Sequence, residues 1–524
     1  MSEAVRVTKA AGIVGAATLL SRILGFVRDV VVAWFFGAGL VADAFFVAFR
    51  IPNLLRRLFA EGSLTISFIP VFTEYLYKCD REEAFRLARS AWWLLAITLA
   101  AVTVLGLVLS PLIIRIIAPG FSPSPGKFEL TVLLTRIMFP YIFFIGLVAL
   151  SMGILNTLGH FAAPALAPVL LNLAMIGSVL ILSPHMEKPS VGLAIGVIIG
   201  GVLQLGLQIP FMIRRGFYLF VRSPLYHAAV KRIALLMTPA VFGAAVYQIN
   251  IFVGTLLASL LPEGSVSYLY YADRLVQFPL GVFAIALATA VLPSLSRQAA
   301  VSDMEGLRAS FSYALKLVFF VTIPAMTGLI ILREPIVRLL FQRGAFDPAA
   351  TRLTAEALLY YALGLWAFSG VRIVVATFYA LQDTKTPVRL AVIALLVNVV
   401  LSILLMGPMR HGGLALAASL ASGVNLILLI RALKKRLGWI GADDILQSVF
   451  KSTASAAVMG GVIALVALWA APKCSRSPWY LLAWVLGSVA AGSVLYGVCA
   501  RLFKCRELGA MVDMVRTSLR KEHA

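Results

Sequence analysis

Long apolar stretches alternate along the chain with short polar connectors, and the stretches have the length of membrane crossings. A bilayer core about 30 Å thick takes about 20 apolar residues in helical form. The pattern predicts fourteen helices, at 10–36, 40–75, 91–117, 130–158, 161–183, 191–213, 229–261, 266–295, 310–332, 354–381, 387–407, 412–432, 449–471 and 479–501. The second is expected to break near Pro52, and Pro279 to kink the eighth, because proline removes a backbone hydrogen bond. The expected fold is therefore all-α, a polytopic membrane protein, and an even number of crossings puts both termini on one side.

An internal repeat organises these helices. The stretch GLVADAFFVAFRIPNLLRRLFAEGSLTISFIP, ending at Pro70, matches GSVSYLYYADRLVQFPLGVFAIALATAVLP, ending at Pro293, at a spacing of 223. ILNTLGHFAAP, ending at Pro164, matches FYALQDTKTP, ending at Pro387, at the same spacing, and Arg50 meets Arg274 at 224. An even number of helices per repeat makes the duplication parallel, with two lobes about an axis along the membrane normal and a cavity between them. The expected divisions are a six-helix lobe at 1–222, a second at 223–440, two extra helices at 441–505 and a cytoplasmic tail at 506–524.

Composition agrees, since 61% of the 524 residues are apolar and 13% charged, where soluble proteins are nearer half and about a quarter. Soluble enzymes and nucleic-acid-binding domains are excluded, and no nucleic acid partner is expected. The net charge of +22 is largely topology: with the termini inside, 27 Lys and Arg fall on inside segments and 10 outside, as the positive-inside rule requires. Arg6 and Lys9 precede an apolar stretch too long for a signal peptide, so the first helix is expected to stay uncleaved. The four cysteines imply no disulfide framework, and the scattered histidines no metal site.

Eight arginines remain within the helices: Arg22, Arg28, Arg50, Arg56, Arg57, Arg136, Arg274 and Arg372. A charge at mid-membrane costs about 2.5–3.5 kcal/mol on insertion scales, so such residues face a wet interior or, near helix ends, snorkel to headgroups. Snorkelling competes most strongly at Arg56, Arg57 and Arg136. The acidic candidates are Asp29, Asp43, Glu61 and Asp273, with Glu74 nearer the cytoplasmic end. A cavity with this balance is cationic. Arg22 and Arg28, about 9 Å apart along the helix, bracket Gly25, and guanidinium suits bidentate phosphate binding. Asp29 and Asp273 are candidates to hold these cations, but neighbours in sequence do not share a helix face. Partners on other helices are expected instead. The same groups also fit interlobe ion pairs or a gate.

The runs SRILGFVRD, GLVADAFFVAFRIPNLLRRLFAEGSLTISFIPVFTEY, YYADRLVQFP, RGAFD and ALQDTKTP together resemble the MurJ (MviN) family of bacterial lipid II flippases. That family sits in a larger group with multidrug exporters and O-antigen translocases. The resemblance implies a transporter, not an enzyme, carrying undecaprenyl-pyrophosphate-linked disaccharide-pentapeptide to the periplasmic leaflet for peptidoglycan synthesis in the bacterial cytoplasmic (inner) membrane. It implies substrate binding at Arg22, Arg28, Arg56 and Arg274, and a functional acid at Asp43. Asp29, Arg50, Glu61 and Asp273 stand as gating or ion-pair candidates, while Gln277 replaces an acid found in some relatives. It also raises a groove for the lipid tail above a brace as the role of the last two helices. No cofactor is expected; membrane potential or an ion gradient would drive transport, and other cell-wall synthesis proteins are further partners. The alternatives are a multidrug or organic-ion antiporter, or an exporter of another lipid-linked oligosaccharide.

Overall fold

The computed structural model describes residues 3–58, 64–221, 224–438, 441–474, 477–509 and 511, and among these every regular element is a helix. The chain divides into two compact units, Met1–Ser267 with Arg343–Phe346, and Tyr268–Gln342 with Asp347–Ala524. The first holds α1 (Glu3–Phe36), α2 (Leu40–Leu58), α3 (Leu64–Lys78), α4 (Arg81–Ile117), α5 (Lys127–Met138), α6 (Tyr141–Thr157), α7 (Ala162–Gly177), α8 (Pro189–Arg214) and α9 (Ala228–Ser259). The second holds most of α10 (Ser265–Pro279), then α11 (Ala286–Ala300), α12 (Met304–Ile331), α13 (Arg333–Phe341), α14 (Pro348–Ala362), α15 (Leu365–Ala380), α16 (Lys385–Leu437), α17 (Ala442–Cys474) and α18 (Pro478–Leu502).

In the first unit α7 packs on both α1 and α8. Between lipid-solvated helices burial of apolar surface gives little drive, so small residues that let backbones approach do the work. Gly192, Gly196 and Gly200 form that stripe on α8: a Cβ at Gly196 would lie 2.6 Å from Ser178 Cβ, and one at Gly200 2.6 Å from Leu171 Cδ1. On α1 Leu19, Ile23 and Val27 are exposed. The second unit has a continuous core of Phe311, Leu315, Phe319, Phe378, Leu426 and Leu433, onto which Tyr496 of α18 docks. Its hydroxyl donates to Phe320 O at 2.7 Å. α17 lies on α12 and α18, with Val458, Val462 and Leu465 of α17 and Val489 and Val494 of α18 exposed.

Among the described residues nine helices are long and apolar enough to cross a membrane, or ten if the bent pair α14 and α15 is one span. The difference from fourteen has physical causes. α16 holds two of the expected spans, as two helices that meet in a kink at Arg410, whose φ of 50° and ψ of −130° are not helical. α2 carries Asp43, Arg50, Arg56 and Arg57 within nineteen residues, too much charge to qualify by apolarity. α2 also runs through Pro52 to Leu58, so the expected break there does not occur. At Pro279 the perturbation takes the form of a π-helical stretch, Leu280–Ile285, leading into α11; wider turns of this kind absorb a missing helical bond.

The repeat is visible in backbone geometry. After α6, Leu158 N donates to Ile154 O, Gly159 N to Asn156 O and His160 N to Leu155 O, at 3.0, 3.1 and 2.8 Å. After α15, Leu381 N donates to Thr377 O, Gln382 N to Tyr379 O and Asp383 N to Phe378 O, at 3.1, 2.9 and 2.9 Å. Every donor and acceptor is displaced by 223 positions. Both turns place a left-handed residue after the helix, Gly159 at φ 75° and Gln382 at φ 56°, as a Schellman C-cap requires.

Candidate substrate site

Arg28 is buried on α1, 8% exposed, beside Asp29 at 3%. Its Nη2 and Nε both donate to Asp29 Oδ1, at 2.7 and 3.0 Å, and its Nη1 donates to Asn172 Oδ1 of α7 at 3.1 Å. Arg28 thus has the partner on another helix that was expected, Asn172, and a second in its own neighbour Asp29. Neighbouring Cβ atoms do diverge on a helix, but the long arginine stem folds back over the short aspartate. Burial then strengthens the pair, which has little water to compete with. Asn172, the partner on α7, is neutral. Asn172 also donates from Nδ2 to Ser21 O at 3.1 Å, so one amide grips α1 on both sides of Gly25. A Cβ on Gly25 would stand 3.6 Å from Asn172 Nδ2. Sequence reasoning missed Asn172, although it is the one amide in the otherwise apolar run AAPALAPVLLNLAMIG, a setting in which a polar side chain bonds across helices.

Asp43, 1% exposed, accepts through both of its carboxylate oxygens. Oδ2 accepts from Lys127 Nζ and from Gly264 N, each at 2.8 Å. Oδ1 accepts from Ser267 N at 2.9 Å and Ser267 Oγ at 2.6 Å. It therefore caps the start of α10, where unsatisfied N–H groups and the helix dipole favour an anion. The cap is reciprocated: Glu263 Oε1 accepts from Leu40 N, at the start of α2, at 2.7 Å. Lys127, expected in an outside loop, opens α5 and is buried with Asp43, its Nζ 4.1 Å from the Phe121 ring centroid.

The other arginines are held differently. Arg50 donates from Nη1 to Ile251 O at 3.2 Å and to Thr255 Oγ1, both on α9. Arg56 donates from Nε to Asn53 Oδ1 at 3.1 Å, one turn back. Arg274 lies 4.8 Å from the Tyr270 ring centroid and donates from Nη2 to its hydroxyl at 2.9 Å. Asp273 accepts from Gln277 Nε2, so the amide that stands in place of an acid still engages the neighbouring carboxylate. Arg22 and Arg372 are exposed, and Arg136 is exposed with Nε donating to Leu107 O at 3.3 Å. Glu61 and the Arg57 side chain lie outside the described residues. The structure thus brings Arg28 to Asp29, and Asp43 to Lys127 and the start of α10; it leaves Arg22 on an exposed face of α1.

Comparison with known proteins bears on what this arrangement serves. A family model described as Lipid II flippase MurJ matches residues 32–481. The chain belongs to the MurJ family. A relative from Vibrio cholerae, named "Probable lipid II flippase MurJ", is 42% identical over 88% of this chain and 89% of its own. Lipid II flippase MurJ of Burkholderia cenocepacia is 37% identical, over 85% and 87%. A solved lipid II flippase MurJ in an inward closed conformation superposes with a TM-score of 0.79 at 30% identity, covering 93% of this chain and 98% of that one. An inward-facing multidrug resistance MATE transporter of the MOP superfamily shares the fold, at TM-score 0.70 and 16% identity. As in that solved MurJ structure, this MurJ-family chain is an all-α, multi-pass membrane protein.

Proposed function

We propose that this protein is a lipid II flippase, moving the undecaprenyl-pyrophosphate-linked precursor of peptidoglycan from the cytoplasmic to the periplasmic leaflet of the bacterial inner membrane. Both termini are cytoplasmic in this reading, and transport runs by alternating access through a cationic cavity between two lobes. Arg22, Arg28, Arg56 and Arg274 bind the headgroup, while Asp29, Asp43, Arg50, Glu61 and Asp273 set the ion pairs that open and close. Membrane potential or an ion gradient supplies the drive, with no cofactor, and α17 and α18 offer the polyprenyl tail an apolar groove.

One observation supports this reading above the others. Arg28 turns its Nε and Nη2 to Asp29 Oδ1 and its Nη1 to Asn172 Oδ1, and the Nε–Nη2 edge is a pair of parallel donors that a phosphate can engage bidentately. A pyrophosphate that displaces Asp29 keeps the guanidinium paired, so the headgroup trades water for a charged partner instead of entering hydrocarbon alone. Proteoliposomes holding fluorescent lipid II test it. The purified chain is expected to move the label across the bilayer, faster under one polarity of imposed voltage. Loss of this movement in a folded preparation would contradict it.

A further inference from the structure

We infer that an open groove between the start of α4 and the end of α8 binds the phosphate headgroup of an anionic phospholipid. The groove, about 590 Å³ in volume, is lined by Arg81, Glu82, Phe85, Arg214, Arg215 and Gly216. None of these belongs to the substrate site proposed above. The charge of Glu82 is taken up from behind by Arg89, a guanidinium 3% exposed that donates to Glu82 Oε1. Three arginines therefore set the potential of the groove.

Two of the three are fixed in place. Arg81 donates from Nη2 to Arg215 O at 2.7 Å and lies 5.1 Å from the Phe85 ring centroid, while Arg215 donates from Nη1 to Leu158 O at 3.0 Å. Each contact engages one edge of a five-donor guanidinium, leaving further N–H groups for an oxyanion. Pre-positioned guanidiniums lose little freedom on binding.

The surroundings select an amphiphile over free phosphate. Ile213, immediately before Arg214, is 45% exposed, and the segment following Gly216 presents Tyr218 and Phe220 at 53% and 88%. That segment is held against α4, where Trp93 Nε1 donates to Leu219 O at 3.2 Å. Exposed aromatic side chains beside clustered arginines are the composition of a membrane–water interface, where anionic headgroups meet basic groups and rings reach toward the acyl chains.

The test uses the full chain in detergent with equal amounts of dioleoylphosphatidylglycerol and dioleoylphosphatidylcholine, bound lipid being counted by native mass spectrometry. The wild type is expected to retain phosphatidylglycerol over phosphatidylcholine by about tenfold. Arg81→Gln/Arg214→Gln/Arg215→Gln should remove most of that preference. Phe220→Ser should weaken retention of the lipid with the arginines untouched, which guards against misfolding of the triple variant. Arg352→Gln, an exposed arginine on α14, should change nothing. Wild-type preference in the triple variant overturns the assignment, as does an equal loss in Arg352→Gln, which would mean bulk charge alone. Displacement of the lipid by glycerol 3-phosphate would mean a free-phosphate site, and displacement by lipid II a substrate site; either result overturns it too.

Discussion

The turn after α6 and the turn after α15 share one backbone and solve it with different side chains. In the first unit Gly159 supplies the left-handed residue, His160 stacks on Phe211 with ring centroids 4.5 Å apart, and Arg215 holds Leu158 O. In the second, Gln382 takes the same conformation, Asp383 accepts from Thr386 N at 3.0 Å and Thr386 Oγ1 at 2.8 Å, and Arg436 pairs with Asp383 at 2.5 Å. An arginine after the sixth helix of each repeat clamps the turn in both cases, but only the second turn offers it a carboxylate. Duplication has kept backbone hydrogen bonds, which any sequence can make, and let the side-chain chemistry diverge. The membrane arginines matched at the 224 spacing diverge likewise: Arg50 donates to Ile251 O and Thr255 Oγ1 of α9, whereas Arg274 donates to the hydroxyl of Tyr270 and lies over its ring.

The largest expected effect falls on the element the second repeat lacks. Asp43 has Ser267 as its counterpart at the 224 spacing, and Asp43→Ala leaves Lys127 buried without its carboxylate and α10 without its cap. Removing one partner of a buried pair costs about 3–5 kcal/mol, which should appear as a large fall in thermal midpoint in detergent. A fall no greater than that of a surface substitution would show the clip is dispensable.

Next come the left-handed residues. Gly159→Val forces a branched residue into a conformation that costs L-residues about 1–2 kcal/mol, while Gln382→Gly relieves strain, offset by the greater freedom of the unfolded chain. Opposite signs in the two repeats, measured by denaturation of otherwise identical chains, would support the shared turn; equal signs would break the equivalence.

Asp383→Ala should cost about 1 kcal/mol, as loss of a cap does, and the matching His160→Ala less. Acid separates the two turns most finely. Burial, with Arg215 nearby, holds His160 below its ordinary 6.5, so the native state favours its neutral form. The Thr386 N–H above all, with Arg436 also contributing, holds Asp383 below its ordinary 3.8. Both groups add stability that is present above those ordinary values and lost as pH falls through the native ones. The His160 contribution should fade first, below about pH 6.5, and that of Asp383 only in strong acid; a His160→Ala chain with an unchanged profile between pH 7 and 5 would contradict the first step.

Much of the fold was legible because membrane helices announce themselves by length and apolarity, and because the duplication left matched prolines. The two spans within α16 were separable in sequence, and the backbone leaves helical geometry between them at Arg410. The site was legible as a set of residue types and less so as contacts. That Arg22 and Arg28 stand out follows from their cost in hydrocarbon, but Asn172 carries no charge and hides in an apolar run. Lys127 sits where a loop lysine would sit, and its pairing with Asp43, 84 positions earlier, depends on how α2 meets α5. The Arg28–Asp29 bond escaped a rule about Cβ directions because the rule ignores the reach of a long side chain.

The claim that intramembrane guanidiniums receive the diphosphate is tested most directly by lipid II translocation in proteoliposomes with Arg28→Ala, Arg274→Ala and Arg28→Lys. Losing a desolvated charged contact costs about 2–5 kcal/mol, so both alanine variants, assayed as folded preparations, should translocate at least about thirtyfold more slowly. Arg28→Lys should also be impaired, since an ammonium lacks the planar fork. Wild-type translocation by either alanine variant would contradict the account.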